Sequence, residues 1–264
     1  MRPIGGPASH TCTVRGPHPS KTTKIYHQST VFLFDPDTDN IAAIVGGNLL
    51  THLRTAAASS VSIKHLARQD SKVICMIDAG HQAKFQLRHA LETNIFERVI
   101  GWNYHSEMLT SLAEVAVEFD LPFEAVSLEG MNATDVVISM ISSFNLIFGA
   151  AHISDSTHIA CMGTDTIGKQ GCEIDLIVKA TVFTDEIAQS VTLGEAQHAV
   201  SNGLKSRDNI HKLGAVINGI HAVRTNDNEI TLINGTGVGI QDLAVSASTV
   251  EIAKTKGVGM EVGF

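Results

Sequence analysis

Between Lys72 and Met162, short apolar runs alternate with amphipathic stretches, and this alternation limits the possible folds more than any other feature of the chain. Val73–Ile77, Val99–Trp102, Glu124–Val126, Val136–Ile138 and His158–Met162 read as strands, with helices predicted over Gln82–Leu91 and Ser106–Phe119. Strands without a polar face need cover on both sides, and helical crossovers supply it in a parallel sheet. The pattern therefore predicts an α/β domain, a doubly wound parallel sheet over residues 71–203. The uncharged stretch Val136–Ser154 is interrupted by Ser139, Ser142, Ser143, Asn145 and His152, so it reads as a buried strand and loop rather than a bilayer span.

The flanks follow other rules. Residues 1–27 have neither helical nor strand periodicity and are expected to be irregular. Thr30–Phe34 and Ile41–Val45, joined by the turn residues Asp35–Asn40, predict a β-hairpin, and Ala-rich Leu49–Arg68 predicts a helix. Beyond Gly203 come the apolar segment Gly214–Asn218, a strand at Glu229–Ile233 and a helix from Val238 to Lys256 that follows Gly235-Thr236-Gly237. That helix is expected to pack on the hairpin. Residues 1–70 and 204–264 would then form a second, discontinuous α+β domain for substrate binding and dimerisation.

A net charge of −8 argues against nucleic acid and anionic membranes as partners, since either requires a positive field. Cys12, Cys75, Cys161 and Cys172 form no CxxC pair, which argues against zinc knuckles and a disulfide framework and for a reducing, cytoplasmic setting. Residues 1–20 lack the apolar run of a secretory signal. The 13 histidines show neither HxH nor HExxH, so no metal is expected; His27, His81 and His158 alone border segments of interest.

Chemistry is expected where apolar strands end. Asp78-Ala79-Gly80-His81-Gln82-Ala83 stands where a Rossmann-like fold carries G-x-G-x-x-G/A: Gly80 allows backbone to approach a pyrophosphate, and Ala83 allows close helix packing. Asp78 breaks the pattern. Its carboxylate either repels phosphate, or faces solvent or bonds a backbone N–H of its own turn with little effect on the phosphates. Asn103 ends the next strand, where an acidic residue usually accepts the ribose hydroxyls of NAD; with no cation beside it, the segment favours NAD over NADP only slightly. Arg54, in an apolar helix start, calls for an anion, either a substrate carboxylate or an internal acid, and Thr55 could bond the same anion or a phosphate. Asp165 and Lys169, following the strand that ends at Met162, are candidates for acid/base work and carboxylate binding, or else belong to a solvated turn.

Five segments in order, LTHLRTAAAS (50–59), DAGHQAKFQ (78–86), THIACMGTDTIGKQ (157–170), FTDEIAQSVTLGEAQHAV (183–200) and EITLINGTGVGIQDLAV (229–245), resemble the ornithine cyclodeaminase/mu-crystallin family. HQSTVFLFDPDTDN (27–40), VIGWNYHSEML (99–109) and the MGTDT form of the aspartate loop resemble its imine-reducing branch more than its cyclodeaminases. The resemblance implies a homodimer that reduces a small carboxylate-bearing imine with NAD(H), iminosuccinate to L-aspartate first of all. Ornithine cyclodeamination and a catalytically impaired nucleotide-binding or structural role are the alternatives. It further implies Arg54 and Lys169 as carboxylate partners, Asp165 beside the substrate nitrogen, and Thr55, Ala79, Gly80, His81, Gln82, Asn103, Ser139 and Gly237 around the cofactor. Against the family pattern, the N-terminal region reads as shortened, Asp78 replaces a glycine, and the loop 168–175 reads as two residues longer.

Overall fold

The computed structural model describes Cys12–Thr13 and residues 29–263; His27 and the remaining N-terminal positions lie outside the described residues. Strand β1 (Cys12–Thr13) pairs antiparallel with β2 (Thr30–Phe34), and β2 with β3 (Ile41–Gly46). The expectation of a wholly irregular N-terminal region is thus corrected by β1, which satisfies backbone groups along an otherwise open edge of the hairpin. Asp35 makes the hairpin turn by accepting the N–H groups of Asp37 and Thr38 at 2.9 and 3.0 Å. Helix α1 (Gly47–Leu66) starts where a Cβ at Gly47 would overlap the Ser29 hydroxyl.

The sheet begins with β4 (Val73–Ile77), followed by α2 (His81–Thr93), β5 (Arg98–Trp102), α3 (Thr110–Glu118), β6 (Phe123–Ala125), β7 (Val136–Ser139) and β8 (His158–Cys161). Then come α4 (Ile174–Lys179), β9 (Thr181–Thr184), α5 (Ile187–Ser190), α6 (Gln197–Ser201), β10 (Ile210–Lys212), α7 (Leu213–Ile217), β11 (Thr231–Asn234) and α8 (Gly239–Lys256). Strands β4 to β11 form one parallel sheet in the order β10-β9-β11-β8-β7-β4-β5-β6. Six of these strands, β6-β5-β4-β7-β8-β11, reproduce the 3-2-1-4-5-6 order of a dinucleotide-binding sheet.

Alternate strand residues enter opposite cores. Ile74, Met76 and Ile138 pack with Leu66 of α1, Leu87 of α2 and Leu112 of α3, while Cys75, Ile77, Val137 and Leu232 pack with Leu176 and Ile177 of α4. Fully burying each such aliphatic side chain contributes about 1.5–3 kcal/mol, the reason these strands tolerate no polar face. His158, also buried, is bonded to Ser62 and Thr231 at 3.1 and 3.0 Å, which makes it a structural residue. Desolvation and the nearby Arg224 charge push its pKa down to about 3.

The chain forms two compact units, a smaller one, Met1–Arg54 with Val238–Phe264, and a larger one, Thr55–Gly237. In the smaller unit α8 packs on β2 and β3, as the sequence suggests. The expected boundary at residue 204 needs correction: β11 slots between β8 and β9, bonded to both, and β10 extends the same sheet. Segment Gly214–Asn218 is mostly the short helix α7. Among the described residues no helix is long and apolar enough to cross a membrane.

Candidate active site

Parallel register aligns the C-terminal ends of the strands. Trp102 lies opposite Ile77, Ile77 opposite Ser139, Ser139 opposite Cys161, Cys161 opposite Asn234, and Asn234 opposite Thr184. The residues that leave this row are Asn103, Asp78–Gly80, Met140–Ile141, Met162–Asp165, Gly235–Gly237 and Asp185. Most sites expected from sequence in the larger unit therefore lie along one edge, around the point between β4 and β7 where strand order reverses.

Turn 78–80 opens α2. Gly80 is its N-cap, with no side-chain cap bond to the helix, so the exposed N-terminal amides present a partial positive charge. Asp78 has φ +87°, in the left-handed region that favours glycine, and its N–H donates to the Trp102 carbonyl at 3.0 Å. Burial pushes its carboxyl pKa up, opposed by the nearby backbone N–H groups of Gly80 and Ala79. A Cβ at Gly80 would come within 3.0 Å of Asp78 Oδ2, so the carboxylate lies against the turn whose amides a pyrophosphate would use. The turn otherwise suits a dinucleotide: Ala79 and Ala83 are buried, and Gln82 holds a buried Oε1 with no hydrogen-bond partner. His81 starts α2 and stacks edge-on against Phe85.

Asn103 follows β5 and donates through Nδ2 to the His105 carbonyl at 2.8 Å, directing its amide as a turn brace. Segment 103–109 carries Glu107 and no lysine or arginine. Ser139 is buried at the end of β7. Beyond β11, Gly237 adopts φ +80°, and its N–H donates to Asp185 Oδ2 at 2.7 Å. Asp185 also accepts the N–H and hydroxyl of Thr236 at 3.1 and 2.9 Å, so one carboxylate shapes the whole turn.

The loop after β8 carries Asp165. Its Oδ1 pairs with Lys169 Nζ at 3.1 Å and accepts the Thr166 hydroxyl at 3.0 Å. The pair is partly exposed, with side-chain exposures of 44% for Asp165 and 20% for Lys169. A Cβ at Gly163 would overlap the Ile141 carbonyl, so only glycine lets this loop pass the segment after β7. On α1, Thr55 is buried, and Arg54 Nε lies 3.1 Å from Asp242 Oδ1 of α8. The internal acid that the sequence left open for Arg54 is Asp242, 188 residues away.

Asp185, Glu195, Gln197 and Asp242 lie outside the residues that the sequence pattern singles out. The one local signal was a carboxylate at Glu195 within the otherwise uncharged run Ile187–Val200.

Residues 9–257 match the model of the ornithine cyclodeaminase/mu-crystallin family. The chain is 55% identical over 247 residues to an iminosuccinate reductase of Paracoccus denitrificans, covering 93% of this chain and 77% of that protein. The crystal structure of the Paracoccus denitrificans reductase with NAD+ superposes with a TM-score of 0.88 over 91% of this chain and 74% of the other. An archaeal alanine dehydrogenase dimer with bound NAD, 29% identical, gives 0.87 over 90% and 75%. With the sheet order, the turn at Gly80 and the aspartate loop all in place, the chain belongs to the ornithine cyclodeaminase/mu-crystallin family.

Proposed function

We propose that this chain is an NAD(H)-dependent reductase of a small carboxylate-bearing imine, converting iminosuccinate to L-aspartate. The observation that carries the reading is 55% identity to an iminosuccinate reductase across 93% of the chain. When bound, the cofactor supplies a hydride to the imine carbon. The amides and Gln82 at the start of α2 take the pyrophosphate end, with Thr55, Ala79, Gly80 and His81 beside it. Asn103 offers Oδ1 to a ribose hydroxyl, while Ser139 and Gly237 border the nicotinamide end. Glu107 and the absence of a cation over 103–109 disfavour a 2′-phosphate, hence NAD over NADP.

Arg54 holds the α-carboxylate. Its guanidinium plane is fixed through Nε by Asp242, giving the restricted geometry that hydride transfer needs. Asp165 bonds the imine nitrogen and manages its proton, with Lys169 countering charge on the same loop and reaching the second carboxylate. The smaller unit exposes Ile44, Leu49, Leu53, Ile240 and Ile252, an apolar surface suited to a homodimer. A need for NADH supports a cytoplasmic setting for the reaction, where the reduced cofactor is available.

The test is to mix oxaloacetate and ammonia, which generate iminosuccinate, and follow NADH oxidation with L-aspartate as product. Release of ammonia from ornithine without net NADH change, together with no aspartate, would instead assign a cyclodeaminase. Asp78 favours a second reading, a family member whose cofactor affinity is impaired. Its mark is weak NADH binding by a folded chain with little turnover.

A further inference from the structure

We propose that Glu195 and Gln197 are positioning residues for the reaction, forming a clasp that gives the Asp165 loop its working shape. The inference rests on the assignment of Asp165 to the substrate nitrogen. Residues 163–173 contain no helix or strand; backbone bonds tie Lys169 N–H to the Thr166 carbonyl at 3.1 Å and the N–H groups of Gln170 and Glu173 to the carbonyls of Ser143 and Phe148, but no backbone carbonyl satisfies the N–H groups of Gly168, Gly171 and Cys172. Two side chains from the segment between α5 and the start of α6 do so. Glu195 Oε1 accepts the Thr164 hydroxyl at 2.6 Å and the Gly171 N–H at 3.1 Å; Oε2 accepts the N–H groups of Gly171 and Cys172 at 3.2 and 3.1 Å. One carboxylate thereby ties together both ends of the loop.

Gln197 holds its middle. Its Oε1 accepts the Gly168 N–H at 2.8 Å, and its Nε2 donates to the carbonyls of Lys169 and Gly194, each at 2.9 Å. Gly168, at φ +87°, makes the bend that brings Lys169 back to Asp165. The clasp is itself anchored: the Glu195 N–H donates to Asn234 Oδ1 at 3.0 Å at the end of β11, and that oxygen also accepts the Ser190 hydroxyl at 2.9 Å. A chain of direct bonds therefore runs from the central sheet to the Thr164 hydroxyl on one side of Asp165 and to the backbone of Gly168–Cys172 on the other.

The chemistry of Glu195 favours this role over two others. Its carboxylate lies with the sulfurs of Cys161 and Cys172, all three ligand atoms within 4.8 Å, a grouping that could suggest a metal. However, both oxygens already accept N–H or O–H donors aimed at their lone pairs, so no set of ligand electrons converges on a cation. Nor does the carboxylate act as a surface charge, being 2% exposed. Burial raises its pKa while the three donor groups oppose the shift. A glutamine here would turn an NH2 toward amide donors on one side, so the two-oxygen acceptor is what the loop requires.

The experiment compares Gln197→Ala, Glu195→Gln and Asp165→Asn with the unsubstituted chain. It measures kcat, imine KM, NADH affinity, melting temperature and hydrogen exchange of residues 163–172. Gln197→Ala is expected to lower kcat by roughly ten- to a hundredfold, since a loop misplaced by about an ångström costs that much. NADH affinity and melting temperature should stay close to native, and the amides of Gly168 and its neighbours should exchange faster. Glu195→Gln should do the same to kcat with a lower melting temperature. In an Asp165→Asn background, Gln197→Ala should lower kcat no further, because its effect acts through that residue. Native kcat in Gln197→Ala, unchanged exchange at Gly168, or equal losses of NADH affinity and turnover would each overturn the clasp. Native turnover in Asp165→Asn would instead overturn the assignment of Asp165, a result separable from the first.

Discussion

Replacing Asp78 with glycine should tighten NADH binding, and the structure gives both the reason and the size. Two contributions act in the same direction. Holding a non-glycine residue at φ +87° costs about 1–2 kcal/mol, strain that restricts how the turn can adapt to a ligand. The carboxylate also lies against the turn of Ala79 and Gly80, its Oδ2 3.0 Å from where a Cβ at Gly80 would stand. An arriving pyrophosphate must displace it and then bear its negative charge about 5 Å away, worth on the order of 1–2 kcal/mol after discounting for partial solvent screening. Not all of the strain is recovered on binding, so a net gain of about 1.4–2.8 kcal/mol is expected, roughly ten- to a hundredfold in affinity. Asp78→Asn should fall between, because it removes the charge and keeps the strain. The single tryptophan provides the assay: Trp102 ends β5, pairs in register with Ile77 and accepts the Asp78 N–H, so NADH bound at this turn should quench its fluorescence. Unchanged NADH affinity in Asp78→Gly would refute the competition argument. Weaker binding would mean that the carboxylate organises the turn for the cofactor.

Arg54→Ala should weaken imine binding by about 2–5 kcal/mol while leaving NADH binding near native, and Asp242→Asn should raise imine KM by a smaller factor. Equal losses for imine and NADH would reassign Arg54 to the pyrophosphate. His158 should make the fold acid-sensitive. Its folded pKa, about 3 against 6.5 when unfolded, means stability is complete above pH 6.5 and is lost as pH falls from there toward 3. At about pH 5 that loss is about 2 kcal/mol, read from urea melts, and His158→Gln should flatten the dependence between neutral pH and pH 5. Finally, Cys75, whose thiol burial pushes up to about 12, and the buried Cys161 and Cys172 should not react with Ellman's reagent in native Cys12→Ser protein. Rapid labelling before denaturant is added would contradict their burial.

Much of this protein is legible without coordinates, because the relevant signals are local. The wholly apolar Val73–Ile77 and Val136–Ile138 demand cover on both faces, whatever surrounds them. The turn at Gly80, the helix that follows it, and the loop of Asp165 come directly after such strands, where parallel sheets place ligands. What could not be read were relations between distant segments. Thr181–Thr184 and Ile210–Lys212 are too short to announce themselves as strands. That β11 slots between β8 and β9 depends on hydrogen bonding between segments as much as 73 residues apart, such as Thr231 and His158. That insertion moved the domain boundary from residue 204 to Gly237. For the same reason the partner of Arg54 is chosen among all acids of the chain only when α8 meets α1, and Glu195 is one carboxylate in an otherwise uncharged run until folding brings Thr164, Gly171 and Cys172 to its oxygens. Apolar periodicity is written into neighbouring residues and so determines the elements. A charge or an amide carries no local mark of its partner, so the pairings that shape the site exist only once the chain has closed on itself.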